Sequence, residues 1–262
     1  MNIVQIEATT LPDAWYQTLY AAVDKGRQFT IDRGSYAGQK RLEFDFAVIH
    51  IKHPGMPPLV PTMPESSPIP PPVTEDYLID YLPYLMTGAL KPGESYTYGQ
   101  RLCRMPIDHK MASERLDRRE IYVDPKEWVP PAVVPDPDDR FGLLLNQMEL
   151  LIHTYKNHGH RNNQMVLQVA QPTDMLLKDP PCLRLIDSRI QDGKLHFFPY
   201  FRSWDLFGGF PANLAGIELM KQYCAAEIGV ENGEIIATSK GLHLYDHVWS
   251  VVEALRGKEI RK

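Results

Sequence analysis

The chain has 262 residues, of which 44% are hydrophobic and 23% charged, and its net charge is −5. These are the proportions of an ordinary globular protein, and the lack of any basic block argues against nucleic acid or an anionic membrane as the main partner. No apolar run approaches membrane-spanning length and no signal-peptide pattern opens the chain, so we expect a cytoplasmic protein. Three cysteines without C-x-x-C spacing favour free thiols over a disulfide framework or a structural zinc site.

The first half of the chain predicts two helices and one long strand, separated by a proline-rich segment. Residues 11–26 have the apolar spacing of a helix. Residues 41–54 alternate apolar and polar side chains, which predicts one long strand with Leu42, Phe44, Phe46 and Val48 on its buried face. Prolines crowd residues 54–72, and we expect a surface excursion there rather than a domain boundary. Helical spacing returns at residues 75–88.

The second half begins with a poorly periodic connection at residues 103–140. Apolar runs bounded by turn residues predict strands at 163–170, 182–190, 195–203 and 233–247. Amphipathic or strongly apolar helical spacing predicts helices at 141–159, 210–229 and 247–257. Strands and helices mix without regular alternation, which predicts the α+β class with a mostly antiparallel or mixed sheet, in a single domain over residues 1–262.

A cysteine, Cys182, follows two prolines at the entrance of a predicted strand. Taken alone, it is best explained as a small buried hydrophobe. However, a thiol attacks as a thiolate, and Arg202 is expected near it at the end of the partner strand of the hairpin. Its cation could lower the pKa of the thiol and also bind a phosphate.

Further polar residues follow Cys182 along the chain. Ser203 adds a hydroxyl donor, and Asn213 offers an amide that matches the carbonyl and N–H of a uracil edge. His243 and Tyr245, two apart on one strand face, could hold a sugar hydroxyl. Each of these residues also has a purely structural explanation as a cap, a surface pair or a sheet residue. Together they describe an enzyme that acts on a nucleotide.

The pattern "DPPC…YFRSWDLFGGFPANLAGIELM…GLHLYDH" resembles thymidylate synthase, with its proline-cysteine, R-S-x-D, G-x-P-x-N and H-x-Y elements in order over residues 179–247. Upstream, "DRGSYAGQKR", "YTYGQRL" and "HRNNQ" are similar to the family's phosphate-binding loop, Y-G-x-x element and arginine segment. "TYGQRL", "DPPCL" and "RSWD" look most like the archaeal-type branch. The resemblance implies a thymidylate synthase-like fold, a mixed sheet packed with helices, whose sheet faces form the interface of a homodimer.

The resemblance also implies the reaction, in which dUMP is reductively methylated at C5 to dTMP. Cys182 would add to C6 of uracil, and Tyr98 would help to remove the C5 proton through ordered water. The one-carbon donor and reductant would be 5,10-methylene-tetrahydrofolate or a methanopterin analogue, without a metal. The family's glutamate has no clean match, and Asp80 is the nearest carboxylate.

In the same resemblance, Arg33, Arg202 and Ser203 would bind the 5′-phosphate. Arg161 belongs to the segment that reaches the neighbouring subunit's site, so complete anion binding would need the dimer. The segment usually has two adjacent arginines, whereas Arg161 is followed by Asn162.

The nucleoside and the pterin would be held by other residues of the pattern. Asn213 would select uracil, and His243 with Tyr245 would contact the 3′-hydroxyl of deoxyribose. Asp205 would hydrogen-bond the pterin ring, with Gly209 passing close to it.

Three other activities remain open from the residues. A pyrimidine-nucleotide 5-hydroxymethylase of the same fold would use water in place of hydride, although Asn213 argues against a cytosine substrate. A hydrolase could pair Cys182 with His243, which requires a hydrogen bond between them. The third is a nucleotide-binding protein without catalysis.

Overall fold

A computed structural model of the protein describes residues 1–32, 36–108, 133–135 and 142–260. Its helices are α1 (Leu11–Lys25), α2 (Glu75–Met86), α3 (Tyr98–Cys103), α4 (Gln147–His158), α5 (Gly209–Ile228) and α6 (Trp249–Arg256), with 3-10 turns at Pro172–Leu176 and Asp246–Val248. Its strands are β1 (Ile3–Ala8), β2 (Arg27–Thr30), β3 (Lys40–Glu43), β4 (Phe46–Ile51), β5 (Met105–Asp108), β6 (Val133–Pro135), β7 (Gly142–Leu145), β8 (Val166–Gln168), β9 (Leu183–Gln191), β10 (Lys194–Phe201), β11 (Trp204–Asp205), β12 (Glu231–Ser239) and β13 (Leu242–Tyr245).

The largest sheet has the strand order β1-β4-β12-β10-β9-β8. Strands β1 and β4 are parallel, as are β10 and β12, while the other neighbours in this sheet are antiparallel. Two smaller sheets have the orders β11-β13-β3-β2 and β5-β7-β6. The mixed pairing confirms the predicted α+β class.

The core lies between one face of the largest sheet and helices α1, α4 and α5. Alternate side chains of β4, Ala47, Ile49 and Ile51, are fully buried on that face. Helix α5 is apolar on nearly all sides because it packs against the sheet and also against α1, α2 and α4. It ends at Gly229, whose φ of 85° is the left-handed conformation that glycine adopts at helix ends.

Residues 41–54 form two strands rather than the single long strand that the alternation predicts. The buried side chains change phase between Phe44 and Ala47, and Phe46 and Val48 turn to the opposite, half-buried face. The prediction for residues 233–247 is wrong in the same way, because they form β12 and β13 in different sheets.

These two breaks occur side by side in space. Strand β4 pairs with β12 in the largest sheet, and β3 pairs with β13 in the second sheet. At the crossing, Phe44 N donates to Leu242 O at 3.0 Å and Gly241 N donates to Phe44 O at 3.2 Å. The two neighbouring strands therefore pass from one sheet to the other together, which local alternation does not reveal.

The prediction of a helix over residues 141–159 is wrong at its start, since Gly142–Leu145 is strand β7. Asn146 begins helix α4, because its Oδ1 accepts from the backbone N–H of Met148 and Glu149.

The proline-rich residues 54–72 contain no helix or strand, as predicted, but Val60 within them is buried. Most of the 103–140 connection lies outside the described residues.

The described part of the chain contains no helix that is both long and apolar enough to cross a bilayer. One hydrophobic cluster joins residues from the first strand to Ile260. The single-domain organisation stays a prediction.

Candidate active site

Cys182 lies directly before β9 and opposite Arg202, the residue that follows β10. Phe201 pairs with Leu183 across the hairpin, and Arg202 N donates to Cys182 O at 2.8 Å. The Cys182 side chain is half-buried against the core, whereas Cys103 and Cys224 are buried. Of the three thiols, Cys182 is therefore the one that a ligand can reach.

The Arg202 guanidinium holds the turn that carries Cys182. Its Nε donates to Pro181 O at 3.1 Å, and Nη2 donates to Pro180 O and lies 3.4 Å from a carboxylate oxygen of Asp179. The two prolines and these hydrogen bonds restrict the backbone on the N-terminal side of the sulfur.

Burial raises the pKa of the Cys182 thiol above its usual 9.0. The cations of Arg202 and Arg184 lower that pKa, while the carboxylates of Asp179 and Asp205 raise it. Arg202 thus acts in the predicted direction, but desolvation of the thiolate outweighs it. The net pKa of the Cys182 thiol is therefore raised, even though the Arg202 cation lowers it as predicted.

Two tyrosines flank the sulfur. The Tyr98 hydroxyl accepts from Leu183 N at 3.3 Å, and burial together with the nearby Cys182 raises the pKa of Tyr98 above 10. The Tyr96 hydroxyl donates to Asp179 O at 3.2 Å, and burial raises the pKa of Tyr96 to about 12. Both hydroxyls therefore keep their protons at neutral pH. The sequence interpretation included Tyr98 and missed Tyr96.

A buried carboxylate ties these elements together. Asp174, which is 1% exposed, accepts from Arg101 Nη2 at 2.8 Å and from Arg184 Nη1 at 3.1 Å. Arg101 lies on α3 with Tyr98, and Arg184 lies two residues after Cys182. Sequence reasoning missed this ion-pair cluster because its three members belong to separate segments.

Asn213, in the first turns of α5, is held at both ends of its amide. Trp204 Nε1 donates to Asn213 Oδ1 at 3.0 Å, and Asn213 Nδ2 donates to the Tyr81 hydroxyl at 2.6 Å. We call Trp204, Asn213 and Tyr81 the Asn213 triad. The predictions named only Asn213; the helical spacing of Tyr77, Tyr81 and Tyr84 along α2 is a signal that could have found Tyr81.

Asp205 caps the start of α5. Its Oδ2 accepts from Gly208 N at 3.0 Å and from Gly209 N at 2.8 Å, and its Oδ1 accepts from Phe207 N at 3.3 Å. Asp205, Gly209 and Asn213 border an open cavity of about 520 Å³. The other lining residues are mostly apolar and come from the end of the proline-rich segment and from two helices: Pro71, Pro72, Val73, Thr74, Tyr77, Gly208 and Ala212.

His243 presents a hydrogen-bond acceptor in a buried position. Because a carbonyl oxygen only accepts, the contact of 2.8 Å between Nδ1 and Gly241 O requires the proton on Nδ1. Burial lowers the pKa of His243 below 6.5, so the ring is neutral, and its buried Nε2 has no hydrogen-bond partner among the described residues. Tyr245 packs against this ring with centroids 4.6 Å apart. Between residues 1 and 260, where described, no hydrogen bond joins His243 to Cys182.

A second cavity, of about 350 Å³, lies beside Arg202 and Ser203. Arg41 and Lys240 add two cations to its lining, although Arg41 also pairs with Glu43 at 2.7 Å. Arg33, which was predicted to contribute to anion binding, lies outside the described residues.

Two predicted residues are not brought to this site. Arg161 is exposed in a pocket with Arg189 and Gln191, at the far end of β9 and roughly 30 Å along the strand from Cys182. Asp80 is exposed on α2, and in the part of the chain that is described it makes no hydrogen bond or ion pair. The next residue, Tyr81, is the one that contacts Asn213.

No group of three or more histidine, cysteine, aspartate or glutamate side chains that could hold a metal ion occurs within the described ranges.

The sequence profile described as "Thymidylate synthase" matches residues 124–261, just over half of the chain. A "Putative thymidylate synthase" of Methanosarcina acetivorans is 29% identical over 95% of this chain and 92% of its own length, and that of Methanosarcina mazei is 28% identical over the same shares. A "Thymidylate synthase" of Corynebacterium aurimucosum is 36% identical over 46% of this chain and 44% of its own length. The near-full-length matches to archaeal proteins confirm the predicted archaeal-type branch, and the chain belongs to the thymidylate synthase family of methyltransferase enzymes.

Proposed function

We propose that the protein methylates dUMP at C5 to give dTMP, with the sulfur of Cys182 adding to C6 of the uracil ring. One observation carries this proposal. Arg202 contacts the turn that carries Cys182 and also lines the neighbouring cavity, where Arg41, Arg202 and Lys240 outnumber Glu43 and Asp45. A phosphate bound in that cavity would share Arg202 with the turn that carries the sulfur.

The spare hydrogen-bonding groups suit a deoxynucleotide. Neutral His243 has an Nε2 that can accept from a 3′-hydroxyl, with Tyr245 beside it. Asn213 keeps one lone pair and one proton for the base edge. The lack of a hydrogen bond from His243 to Cys182 within the described residues speaks against a Cys–His hydrolase.

The sulfur needs activation beyond what its neighbouring cations supply. Burial holds the pKa of Cys182 high, so the thiol is mostly neutral near pH 7. The protonated hydroxyl of Tyr98 is a donor beside it, and we propose that this tyrosine assists proton removal at C5 through water. Asp80 as the proton-shuttling carboxylate stays a prediction that no contact supports.

The thymidylate synthase family uses a methylene-folate type co-substrate. The cavity of about 520 Å³ suits its pterin ring, because prolines and Val73 offer apolar surfaces. Asp205 Oδ1 accepts a single backbone proton and can accept a further one from a ligand. We propose that 5,10-methylene-tetrahydrofolate or a methanopterin analogue binds there and supplies the carbon and the reducing equivalents.

The test is covalent capture. We expect 5-fluoro-dUMP with methylene-tetrahydrofolate to leave a stable adduct on the Cys182 peptide, detected by mass spectrometry. Cys182→Ser should form none, whereas Cys103→Ser should form it normally. An adduct in Cys182→Ser, or none in the wild-type protein with any pterin donor, would refute the proposal.

The product distinguishes methylation from hydroxymethylation. We expect tritium release from [5-³H]dUMP to be accompanied by dTMP, and a 5-hydroxymethyl product would instead identify the alternative enzyme of the same fold. Repeating the assay with several pterins identifies the donor.

We also propose a homodimer in which Arg161 serves the partner's site. The roughly 30 Å that separates Arg161 from its own Cys182 supports this arrangement. Light scattering should give twice the chain mass, and Arg161→Ala should weaken dUMP binding. An active monomer would contradict this proposal.

A further inference from the structure

We propose that Trp204 determines which pyrimidine is accepted, by locking the amide of Asn213 in the one orientation in which Tyr81 accepts from its nitrogen. This inference rests on the proposed function, because it concerns the base of the nucleotide that Cys182 attacks. Trp204 fills the variable place of the R-S-x-D element and Tyr81 lies outside the quoted pattern, and neither was predicted to bind the substrate.

An asparagine that is free to rotate discriminates poorly between uracil and cytosine. Its amide presents one acceptor and one donor, which match the N–H and carbonyl of a uracil edge. Rotating the amide by 180° exchanges these groups, and they then match the ring nitrogen and amino group of cytosine. Selectivity therefore requires a partner that makes the rotation costly.

The Asn213 triad supplies such a partner in Trp204. The indole N–H of Trp204 can only donate, so the atom 3.0 Å from it must be the amide oxygen. A rotation would place the amide NH₂ against that indole proton, two donors facing each other. The amide nitrogen is then fixed on the side of Tyr81, whose hydroxyl oxygen accepts at 2.6 Å.

The surroundings keep both partners in place. Trp204 is 2% exposed and stacks between Phe201 and Phe210, with ring centroids 3.9 and 4.5 Å away. Burial raises the pKa of Tyr81 above 10, so its hydroxyl stays protonated. Each side of the amide thus meets an aromatic residue.

Helix packing brings Tyr81 within reach. A Cβ at Gly216 would lie 2.6 Å from Leu85 Cδ1 and 2.9 Å from Tyr81 Cε1, so the glycine permits the close approach of α2 to α5. Asn213 lies one turn before Gly216 on α5. The same contact that packs the helices therefore sets the distance between Tyr81 and the amide.

The experiment compares the Kd values of dUMP and dCMP by calorimetry for the wild-type protein, Tyr81→Phe, Trp204→Phe and the double variant. We expect the wild-type protein to prefer dUMP, and the ratio of the two Kd values to fall about tenfold or more in the double variant, largely because dCMP binds more tightly. Tyr84→Phe, on the same helix and without contact to Asn213, should keep the wild-type ratio. A site that is merely loosened would weaken both nucleotides equally and leave the ratio unchanged.

The outcomes separate this inference from the proposed function. If the wild-type protein prefers dUMP and the double variant keeps that preference, the lock is refuted while the proposed substrate stands. If the wild-type protein binds both nucleotides equally, the lock is refuted as well. If it binds neither, the proposed function fails and the inference with it. Should Trp204→Phe fail to fold, Trp204→Tyr, a larger aromatic side chain that also lacks the indole N–H, takes its place in the comparison with Tyr84→Phe.

Discussion

Neutralising Asp174 is expected to destabilise the protein strongly, even though the shape of the side chain hardly changes. The change Asp174→Asn leaves the guanidinium groups of Arg101 and Arg184, which are only 8% and 19% exposed, without their shared counter-ion. Breaking a buried ion pair in this way costs about 3–5 kcal/mol. Asparagine keeps one acceptor oxygen, so we expect about 3 kcal/mol, or a fall in Tm of about 6–12 °C for a chain of this size.

Urea unfolding followed by circular dichroism measures the loss. Asp24→Asn is the matched control, because Asp24 also has two cationic partners, Arg256 and Lys258, but lies at the surface. We expect this control to lose less than about 1 kcal/mol. Equal losses in the two variants would show that burial of the Asp174 cluster does not determine how much the cluster contributes to the free energy of unfolding. Since the cluster joins α3 to β9, Asp174→Asn should also slow adduct formation at Cys182.

Three further predictions concern single side chains. Because burial lowers the pKa of His243 below 6.5, wild-type stability should fall as the pH drops from 6.5 through that lowered pKa, and His243→Gln should lose part of this dependence in urea unfolding. Alkylation of Cys182 by iodoacetamide, followed by mass spectrometry, should have its pH midpoint above 9.0, and Arg202→Met should move it higher, whereas a midpoint below 9.0 would contradict the assigned effect of burial. Gly99→Ala should reduce the free energy of unfolding more than Gly216→Ala, because the new methyl group meets backbone carbonyl oxygens at Gly99 but side-chain atoms of Leu85 and Tyr81 at Gly216.

The sequence predicts best those features that depend on residues close together along the chain. The turn between β9 and β10 has positive φ at Asp192 and Gly193, 52° and 74°, as the segment "QDGK" indicates. A turn of this kind sets the register of its hairpin from Lys194 opposite Gln191 to Tyr200 opposite Leu185. A register shift between Tyr200 and Phe201 then brings Arg202 opposite Cys182, where the turn alone would place Ser203. Local sequence therefore brings the two strand ends together, and the register shift decides which residue faces Cys182.

The features that the sequence did not predict depend on contacts between residues that are far apart along the chain. The alternation in residues 41–54 continues smoothly through the point where the chain changes sheets, because each half has its own buried face. Arg202 near Cys182 also suggested a lowered pKa of the thiol, but desolvation raises that pKa more. The extent of desolvation depends on how much protein surrounds the sulfur, which the neighbouring residues along the chain do not determine.

The proposed nucleophile and the proposed base-reading amide are consequently held by different kinds of structure. Cys182 depends on a hairpin and its turn, both local in sequence, whereas Asn213 depends on Tyr81, which is 132 residues away. A change in the packing of α2 against α5 can thus alter the preferred base while leaving the sulfur and its cation in place. Enzymes of this fold that accept a different pyrimidine should accordingly differ in the partners of this amide, even where the cysteine, arginine and asparagine are the same.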